Sequence, residues 1–193
     1  MNNPADDYAG YDDLSKAQVE GTDYRVHVRP NAASSVAVIA PHGGRIEPHT
    51  SDIAREIAGD DFNLYLLEGI RPHGNYAHLH LTSHKFDEPR CLGLLSSCNH
   101  VIAVHGCRRE TQQAFIGGLD EALKARVAQA IAELGVDVRL HGHSFPATNP
   151  WNICNRGHRG AGIQIEMTTA LRRDGPCKAI SEAIRAVLLT LPT

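Results

Sequence analysis

The feature that most constrains the fold of this chain is an alternation of short apolar runs with longer amphipathic segments. Apolar runs occupy residues 36–40, 62–67, 101–105 and 162–167, and each is typical of a β-strand. Between these runs, apolar residues recur at helical spacing. The alternation predicts an α/β fold, a three-layer α/β/α sandwich around a mixed, mainly parallel sheet.

Turn and capping residues set the predicted boundaries. Strands are predicted at residues 24–28, 36–40, 62–67, 76–81, 101–105, 136–140 and 162–167. Helices are predicted from Thr50 or Ser51 to a stop at Gly59, over residues 88–97, from Leu119 to a stop at Gly135, and from Pro176 onward. Residues 1–22 are predicted to form a polar N-terminal arm, and residues 23–193 a single domain. Residues 141–160 form the most irregular, loop-rich region, and loops of this kind often carry function.

Composition narrows the class of protein. The net charge of −3 gives no electrostatic reason to expect a nucleic-acid partner. The N-terminus lacks the apolar core of a signal peptide, and no apolar run approaches the ~20 residues of a membrane span. The sequence therefore predicts a soluble protein, cytoplasmic when it is made, without nucleic-acid or membrane partners. Its oligomeric state is not predicted.

The cysteines favour free thiols over cross-links. There are five of them, an odd number, and none forms a C-x-x-C pair. Buried thiols in a reducing compartment are the simplest interpretation. Cys107 lies two residues after His105, but no local signature indicates a catalytic Cys–His pair.

The loop after residues 36–40 combines a histidine, two glycines and a glutamate. Glycine adopts positive φ without steric cost, so Gly43 and Gly44 let the loop fold back and bring His42 and Glu47 to one point. Imidazole and carboxylate groups are common zinc ligands, and a catalytic zinc has about three protein ligands and one open position. Because His105 ends another strand, the sequence predicts a mononuclear metal site in a hydrolytic enzyme.

Further polar residues follow or end predicted strands. Ligands of open α/β sheets bind beyond the carboxyl ends of the strands. His105 has an alternative role, as a strand end bonded to a backbone carbonyl. Glu166 lies in an otherwise apolar strand, where burial is costly unless it has a partner; an ion pair with arginine and a general base are both consistent with it. The residues expected at this rim are His42, Glu47, His80, His105, His141 and Glu166.

A set of short motifs in fixed order resembles the poly-γ-glutamate hydrolase family of bacteriophages and bacilli. The motifs are PHGGRIEP at residues 41–48, LHLTS at 79–83, FDEP at 86–89, VHG at 104–106, NRG at 155–157 and GIQIE at 162–166. The resemblance extends from about residue 23 to residue 190. It implies a fold similar to that of the zinc carboxypeptidases. It also implies that residues 23–193 form a single zinc hydrolase domain.

The resemblance implies one zinc ion per chain, held by His42, Glu47 and His105 with a water in the open position. It implies that Glu166 activates this water, and that the substrate is an anionic γ-glutamyl polymer. The sequence departs from the family pattern at His49, where glycine is expected, and at residues 83–85. His49 lies close to the implied ligands, in a position to join the metal site or to alter substrate contacts.

A γ-glutamyl substrate carries a free α-carboxylate beside each linkage, and arginine matches carboxylate geometry. Arg156 is the first candidate, from its place in the loop before residues 162–167; Arg71 and Arg159 are weaker ones. A solvated surface charge is the alternative for each arginine. His80 is assigned to substrate binding or to support of the metal site; a histidine bonded within its strand is the alternative.

The sequence thus predicts a zinc-dependent hydrolase that cleaves γ-glutamyl amide bonds of poly-γ-glutamate with an activated water. Two alternatives stay open. One is a zinc amidase acting on small N-acyl or γ-glutamyl amino acids. The other is a non-enzymatic binding protein that keeps a metal for stability. Release on cell lysis would bring the enzyme to an external polymer.

Overall fold

The computed structural model describes residues 7–192 of the chain. The helices are α1 Tyr11–Ala17, α2 Thr50–Ala58, α3 Asn75–Leu79, α4 Pro89–Leu95, α5 Glu121–Ala132, α6 Thr169–Asp174 and α7 Cys177–Leu188. The strands are β1 Tyr24–Arg29, β2 Val36–Gly44, β3 Asn63–Gly69, β4 His100–Cys107, β5 Gln113–Gly118, β6 Asp137–Arg139 and β7 Ile163–Thr168. A short 3-10 turn covers Ile153–Asn155.

The strands form one seven-stranded mixed sheet in the order β1-β3-β2-β4-β7-β5-β6. Strands β3, β2, β4 and β7 are parallel neighbours at its centre. Strand β1 runs antiparallel to β3, and β5 runs antiparallel to β7 but parallel to β6. This topology confirms the predicted mixed, mainly parallel sheet.

Each face of the sheet packs on its own apolar layer. Helices α2, α5 and α7 cover one face, where Ile57, Val127 and Ile184 are fully buried. The other face packs against α1, α4 and the 3-10 turn, through Leu14, Leu95 and Ile153. A sheet with helices on both faces has central strands whose side chains are buried on either side. The three-layer α/β/α sandwich is thereby confirmed.

The described part of the predicted N-terminal arm packs on the sheet domain. Leu14 of α1 is fully buried. The backbone amide of Tyr11 donates to Asp87 Oδ1 at 2.6 Å, and Arg90 pairs with Glu20 at 2.9 Å. Residues 1–6 of the arm lie outside the described residues. Between residues 7 and 192, the structure has no helix long and apolar enough to cross a bilayer.

The prediction of a strand over residues 76–81 is wrong. The segment instead contains helix α3, which begins after Gly74 at a φ of 72°. The Tyr76 and His80 rings, four residues apart, stack with centroids 4.3 Å apart, and Leu79 turns into the core. Six residues of alternating polarity suit a strand or a single helical turn equally well. Tertiary contacts therefore decide between them.

Strand β5 and helix α6 are absent from the sequence prediction, and helix α5 is shorter than predicted. Strand β5 ends in Gly117 and Gly118, which suggest a turn but lie against the loop and strand beside them. Helix α6 follows β7 without a break. Helix α5 begins after Asp120, whose carboxylate accepts from the Leu123 amide at 3.0 Å, so Leu119 and Leu134 lie outside it and are exposed.

Gly162 should be essential for folding. A Cβ at this position would overlap the carbonyl oxygen of Cys154 and lie 2.7 Å from that of Val101, and backbone atoms cannot move aside. We expect Gly162→Ala to lower the free energy of unfolding by more than about 3 kcal/mol or to prevent folding. Denaturant unfolding measures the effect.

The matched control is Gly93→Ala in α4, where nothing lies within 4 Å of an added Cβ. Alanine there should raise the free energy of unfolding by about 0.5–1 kcal/mol, because glycine loses more backbone entropy in a helix. Equal unfolding midpoints for Gly162→Ala and wild type would contradict the packing argument.

Candidate active site

The candidate site begins where the pairing of β2 is interrupted. Its register with β3 shifts between Ala40 and Gly43, and its pairing with β4 ends at Ile39. Proline has no N–H for a sheet ladder, so Pro41 suits this break. Irregular pairing re-aims a side chain near the end of a strand. Here it leaves His42 buried at the carboxyl edge of the sheet, 1% exposed.

The loop after His42 folds back on itself as a tight turn. Gly44 has a φ of 62°, and its amide donates to Ser51 Oγ at 2.9 Å. A Cβ on Gly43 would overlap Ser51 Oγ and lie 3.0 Å from Leu67 O, so only glycine fits beside β3. The Glu47 amide then donates to His42 O at 2.9 Å. The turn thus brings the side chains of His42 and Glu47 together.

Three side chains converge within ion-pair distance of one another. His42 Nδ1 lies 3.3 Å from Glu47 Oε1, and His105 Nδ1 lies 3.5 Å from Glu47 Oε2. The two Nδ1 atoms are 3.1 Å apart. The three residues are 1–5% exposed, so their polar atoms face one another rather than bulk water.

Hydrogen bonds and burial set the charge state of this cluster. His42 Nε2 donates to Leu81 O at 2.7 Å, which leaves the lone pair on Nδ1. Burial lowers the pKa of His42 to about 4. Burial by itself would raise the pKa of Glu47, but the three neighbouring histidines outweigh it and hold that pKa well below its usual range. The neutral imidazole of His42 and the ionised carboxylate of Glu47 are the forms that bind a metal. Burial by itself would lower the pKa of His105, but Glu47 outweighs it and raises that pKa, so a metal bound there would displace a proton.

The donor geometry fits a tetrahedral zinc ion. Bonds of about 2.0–2.1 Å place adjacent ligand atoms of a tetrahedron roughly 3.3–3.4 Å apart. The two Nδ1 atoms are 3.1 Å apart, and they lie 3.3 and 3.5 Å from Oε1 and Oε2 of Glu47, respectively, so each imidazole faces a different oxygen of the carboxylate. Three such donors leave a fourth position free, as in catalytic rather than structural zinc sites.

His80 is a second neighbour of Glu47. Its Nε2 lies 3.2 Å from Glu47 Oε1, and its ring contacts that of His42, with centroids 4.0 Å apart and planes tilted by 33°. The ligand atoms of His42, Glu47 and His80 also lie within 4.8 Å of one another. Two overlapping triads therefore share His42 and Glu47, and they differ in whether His105 or His80 completes the set.

Glu166 lies beside the cluster on the neighbouring strand. It pairs in register with His105, and both line a cleft of about 480 Å³. Gln164 Nε2 donates to Glu166 Oε1 at 2.9 Å. Burial raises the pKa of Glu166 to about 7. A carboxyl group with a pKa near neutrality is suited to take up and release a proton.

A backbone amide and a buried arginine hold the Glu47 loop in place. The Gly106 amide donates to Glu47 Oε2 at 2.8 Å. The guanidinium of Arg172 occupies the space that a Gly106 side chain would fill, and it donates to Met167 O at 3.0 Å and to Pro48 O. Arg172 is 7% exposed, so a buried cation connects helix α6 to the loop that carries Glu47.

A larger basic cleft adjoins the cluster. Its volume is about 790 Å³, and it shares Glu47, Tyr76, Gly106 and Arg108 with the smaller cleft. Four arginines line it, Arg45, Arg108, Arg172 and Arg173, against the two carboxylates of Glu47 and Glu110. The Arg108 guanidinium lies 5.1 Å from the centroid of the Tyr76 ring. The approach to the cluster is therefore suited to anionic ligands.

Several residues singled out in the sequence lie away from the clefts. The Arg156 guanidinium lies over the exposed Trp151 ring, 5.0 Å from its centroid, and Arg156 lines neither cleft. Arg71 pairs with Asp23 at 2.6 Å, and Arg159 with Asp120 at 3.2 Å.

Two singled-out histidines also lie outside the cluster. His141 is exposed in the loop after β6. His49 precedes helix α2 at a φ of 74°, in the region that favours glycine, and it lines the larger cleft. That backbone conformation accounts for the glycine expected at this position.

Three of the five cysteines, Cys91, Cys98 and Cys154, are buried, and Cys107 and Cys177 are partly buried. All five are unpaired. Burial raises the pKa of Cys107 to about 11, so its thiol stays protonated near neutral pH. A protonated thiol is a poor nucleophile, which argues against a cysteine mechanism.

Arg108 and Arg172 were missed by sequence reasoning. Arg108 directly follows β4, and the rule that ligands bind beyond strand ends could have found it. Arg172 had no such signal, because its role depends on α6 folding back over Gly106. Helix α3 was also missed. Tyr76 and His80 are four residues apart, a spacing that makes two side chains neighbours on a helix but not on a strand.

A buried histidine–glutamate cluster at the carboxyl ends of parallel strands, beside a carboxylate and a basic cleft, is typical of α/β hydrolytic enzymes. The family model of the poly-gamma-glutamate hydrolases matches residues 8–175. This chain belongs to the poly-gamma-glutamate hydrolase family, as the motifs in its sequence indicated.

Individual relatives agree with this assignment. Protein YndL of Bacillus subtilis (strain 168) is 38% identical over 170 residues, which are 87% of this chain and 66% of YndL. The chain thus spans slightly less than two thirds of that relative. The structure of a bacteriophage poly-gamma-glutamate hydrolase superposes with a TM-score of 0.87 at 26% identity, covering 97% of this chain and 96% of that one. Zinc-free YndL superposes with a TM-score of 0.86 at 32% identity, covering 95% and 97%.

Proposed function

We propose that this protein is a zinc-dependent hydrolase that cleaves γ-glutamyl amide bonds of poly-γ-glutamate. The observation that carries the proposal is the close approach of His42, Glu47 and His105, whose nitrogen and oxygen atoms lie 3.1–3.5 Å apart in pairs, with Glu166 on the adjacent strand. Membership of the family supports the reaction class. The zinc-free form of YndL supports the choice of metal.

The chain's own residues account for proton movement in the reaction. Zinc, when bound, supplies a Lewis acid and lowers the pKa of water at the site toward neutrality. Glu166 takes a proton from the attacking water as oxygen bonds to the amide carbon. The same carboxyl group then delivers that proton to the leaving nitrogen as the C–N bond breaks. Such proton transfer contributes typically ~10²–10⁴-fold to the rate.

The charge of the larger cleft supports an anionic polymer as substrate. Each γ-linked glutamate carries a free α-carboxylate, and arginine binds a carboxylate with two parallel hydrogen bonds. Arg108 lines both clefts and is the best-placed guanidinium beside the cluster. Arg45 extends the same positive surface away from it, whereas Arg173 pairs with Asp174 and Glu110. Substrate binding by Arg156 stays a prediction from the sequence. Its guanidinium contacts Trp151 in the structure, which contains no polymer.

Metal removal and repletion test this proposal. We expect the purified protein to contain about one zinc per chain and to shorten poly-γ-glutamate, as followed by size-exclusion chromatography. Chelation should abolish shortening, and stoichiometric zinc should restore it. Full activity after verified metal removal would contradict the proposal. Zinc-dependent cleavage of small γ-glutamyl or N-acyl amino acids without polymer shortening would instead favour a small-substrate amidase.

A further inference from the structure

A second basic depression lies on the far side of the catalytic cluster. Strand pairing aligns His105 of β4, Glu166 of β7, Phe115 of β5 and Arg139 of β6 in one row across the sheet. Residues paired in register project from the same face of a sheet. Arg139 therefore lies on the face that carries His105 and Glu166. At ~4.8 Å per strand, it is roughly 10 Å along the sheet from Glu166.

The depression beside Arg139 has a volume of about 290 Å³. Its floor includes Phe115, which is 3% exposed and contacts the rings of His143 and Phe145 at 5.5 and 5.6 Å. The Arg109 guanidinium lies 4.8 Å from the centroid of the Phe115 ring. The rim is completed by polar and glycine residues, namely Gln113, His141, Gly142 and Ser144.

The two arginines differ in their existing partners. Arg139 pairs with Asp137, which is held in turn by Gln113 at 2.6 Å. Arg109 has no carboxylate within salt-bridge distance among residues 7–192, and its ring contact leaves its N–H donors available. The depression thus carries a net positive charge, with one guanidinium uncommitted to an anion.

The depression adjoins the catalytic cleft but not the larger basic cleft. It shares Ser144 with the cleft that holds His42, Glu47 and Glu166. The larger basic cleft extends over the loops after β2 and β3, where it includes Arg45, and it also includes Arg108 after β4 and residues of helix α6. The cluster therefore has Arg45 toward β2 and β3, Arg108 and Arg172 beside it, and the depression with Arg109 and Arg139 toward β5 and β6.

From this arrangement we propose that Arg109 and Arg139 form a distal subsite that binds an α-carboxylate of a γ-glutamyl chain. The inference rests on the proposed function. A γ-linked residue has two more main-chain bonds than an α-linked one, so it spans about 6 Å rather than ~3.3–3.6 Å. The subsite then lies about two residues from the scissile bond. A polymer held on both sides of the cluster is cleaved internally.

Polymer binding by paired variants tests the subsite. The double variant Arg109→Gln/Arg139→Gln and the exposed control Arg126→Gln on α5 are compared with wild type, each metal-depleted so that binding is separated from turnover. We expect the double variant to bind long poly-γ-glutamate about fivefold to twentyfold more weakly, as loss of two solvated charge-assisted contacts implies. Affinity for γ-glutamylglutamate should stay unchanged, because a dipeptide does not span the distance.

Turnover provides the second readout in zinc-loaded protein. KM for long polymer should rise in the double variant with kcat little changed, and the control should match wild type. Equal polymer affinity for the double variant and the control, with wild type still shortening the polymer, would overturn the subsite alone. Wild-type protein that neither binds nor shortens poly-γ-glutamate would overturn both the subsite and the proposed function. Thermal melts show whether each variant is folded.

Discussion

Glu166→Gln is expected to remove turnover while leaving zinc bound. Glutamine is similar in size and keeps a polar group at the site, but it cannot take a proton from water. The rate of poly-γ-glutamate cleavage should fall by ~10²–10⁴-fold, the usual contribution of a general base. Zinc content, measured by elemental analysis, should remain near one per chain.

The matched control for this substitution is Glu182→Gln, which makes the same change at an exposed position of α7. It should match wild type in both rate and zinc content. Unchanged turnover in Glu166→Gln would refute the assigned role. Loss of zinc together with turnover would instead make Glu166 part of the metal site.

Alanine substitutions at His105 and His80 should distinguish the two overlapping triads. We expect His105→Ala to lower zinc affinity far more than His80→Ala does. His105 Nδ1 is within 3.5 Å of both His42 and Glu47 donors, and it lies on the rigid central strand β4. His80 follows helix α3 and is more exposed, at 17% for its side chain. Loss of a supporting residue typically costs ~10–100-fold in metal affinity, and loss of a ligand should exceed this.

Competition with a chelator of known affinity measures both zinc dissociation constants. His158→Ala, at an exposed histidine, is the control and should bind zinc as wild type does. A larger loss in His80→Ala than in His105→Ala would assign the third ligand to His80. His105 would then be a supporting residue, bonded through its ring to neighbouring groups.

The local sequence pattern was sufficient to predict the buried central strands and the polar residues at their ends. The central strands are apolar over most of their length, so β2, β3, β4 and β7 were predicted within a few residues. The same rule, that ligands bind beyond strand ends, led to His42, Glu47, His105 and Glu166. The structure places these four side chains around one cleft.

Local pattern failed where contacts from distant parts of the chain decide the structure. Strand β5 ends in two glycines because neighbouring backbone leaves no space for side chains, and those glycines look like a turn in the sequence. Residues 76–81 alternate in polarity but form helix α3 and place His80 against Glu47. Short segments have too little periodicity to oppose such contacts.

The sequence by itself determined the α/β class, the family and the chemical groups available for catalysis, because each of these is expressed in periodicity and short motifs. Only the tertiary structure decided which cations face the cluster. Arg156 lies over Trp151, whereas Arg108, Arg109 and Arg172 approach the clefts from segments outside the motifs. A side chain's charge can be read from the sequence, but its direction depends on the packing of strands and loops that are far apart along the chain.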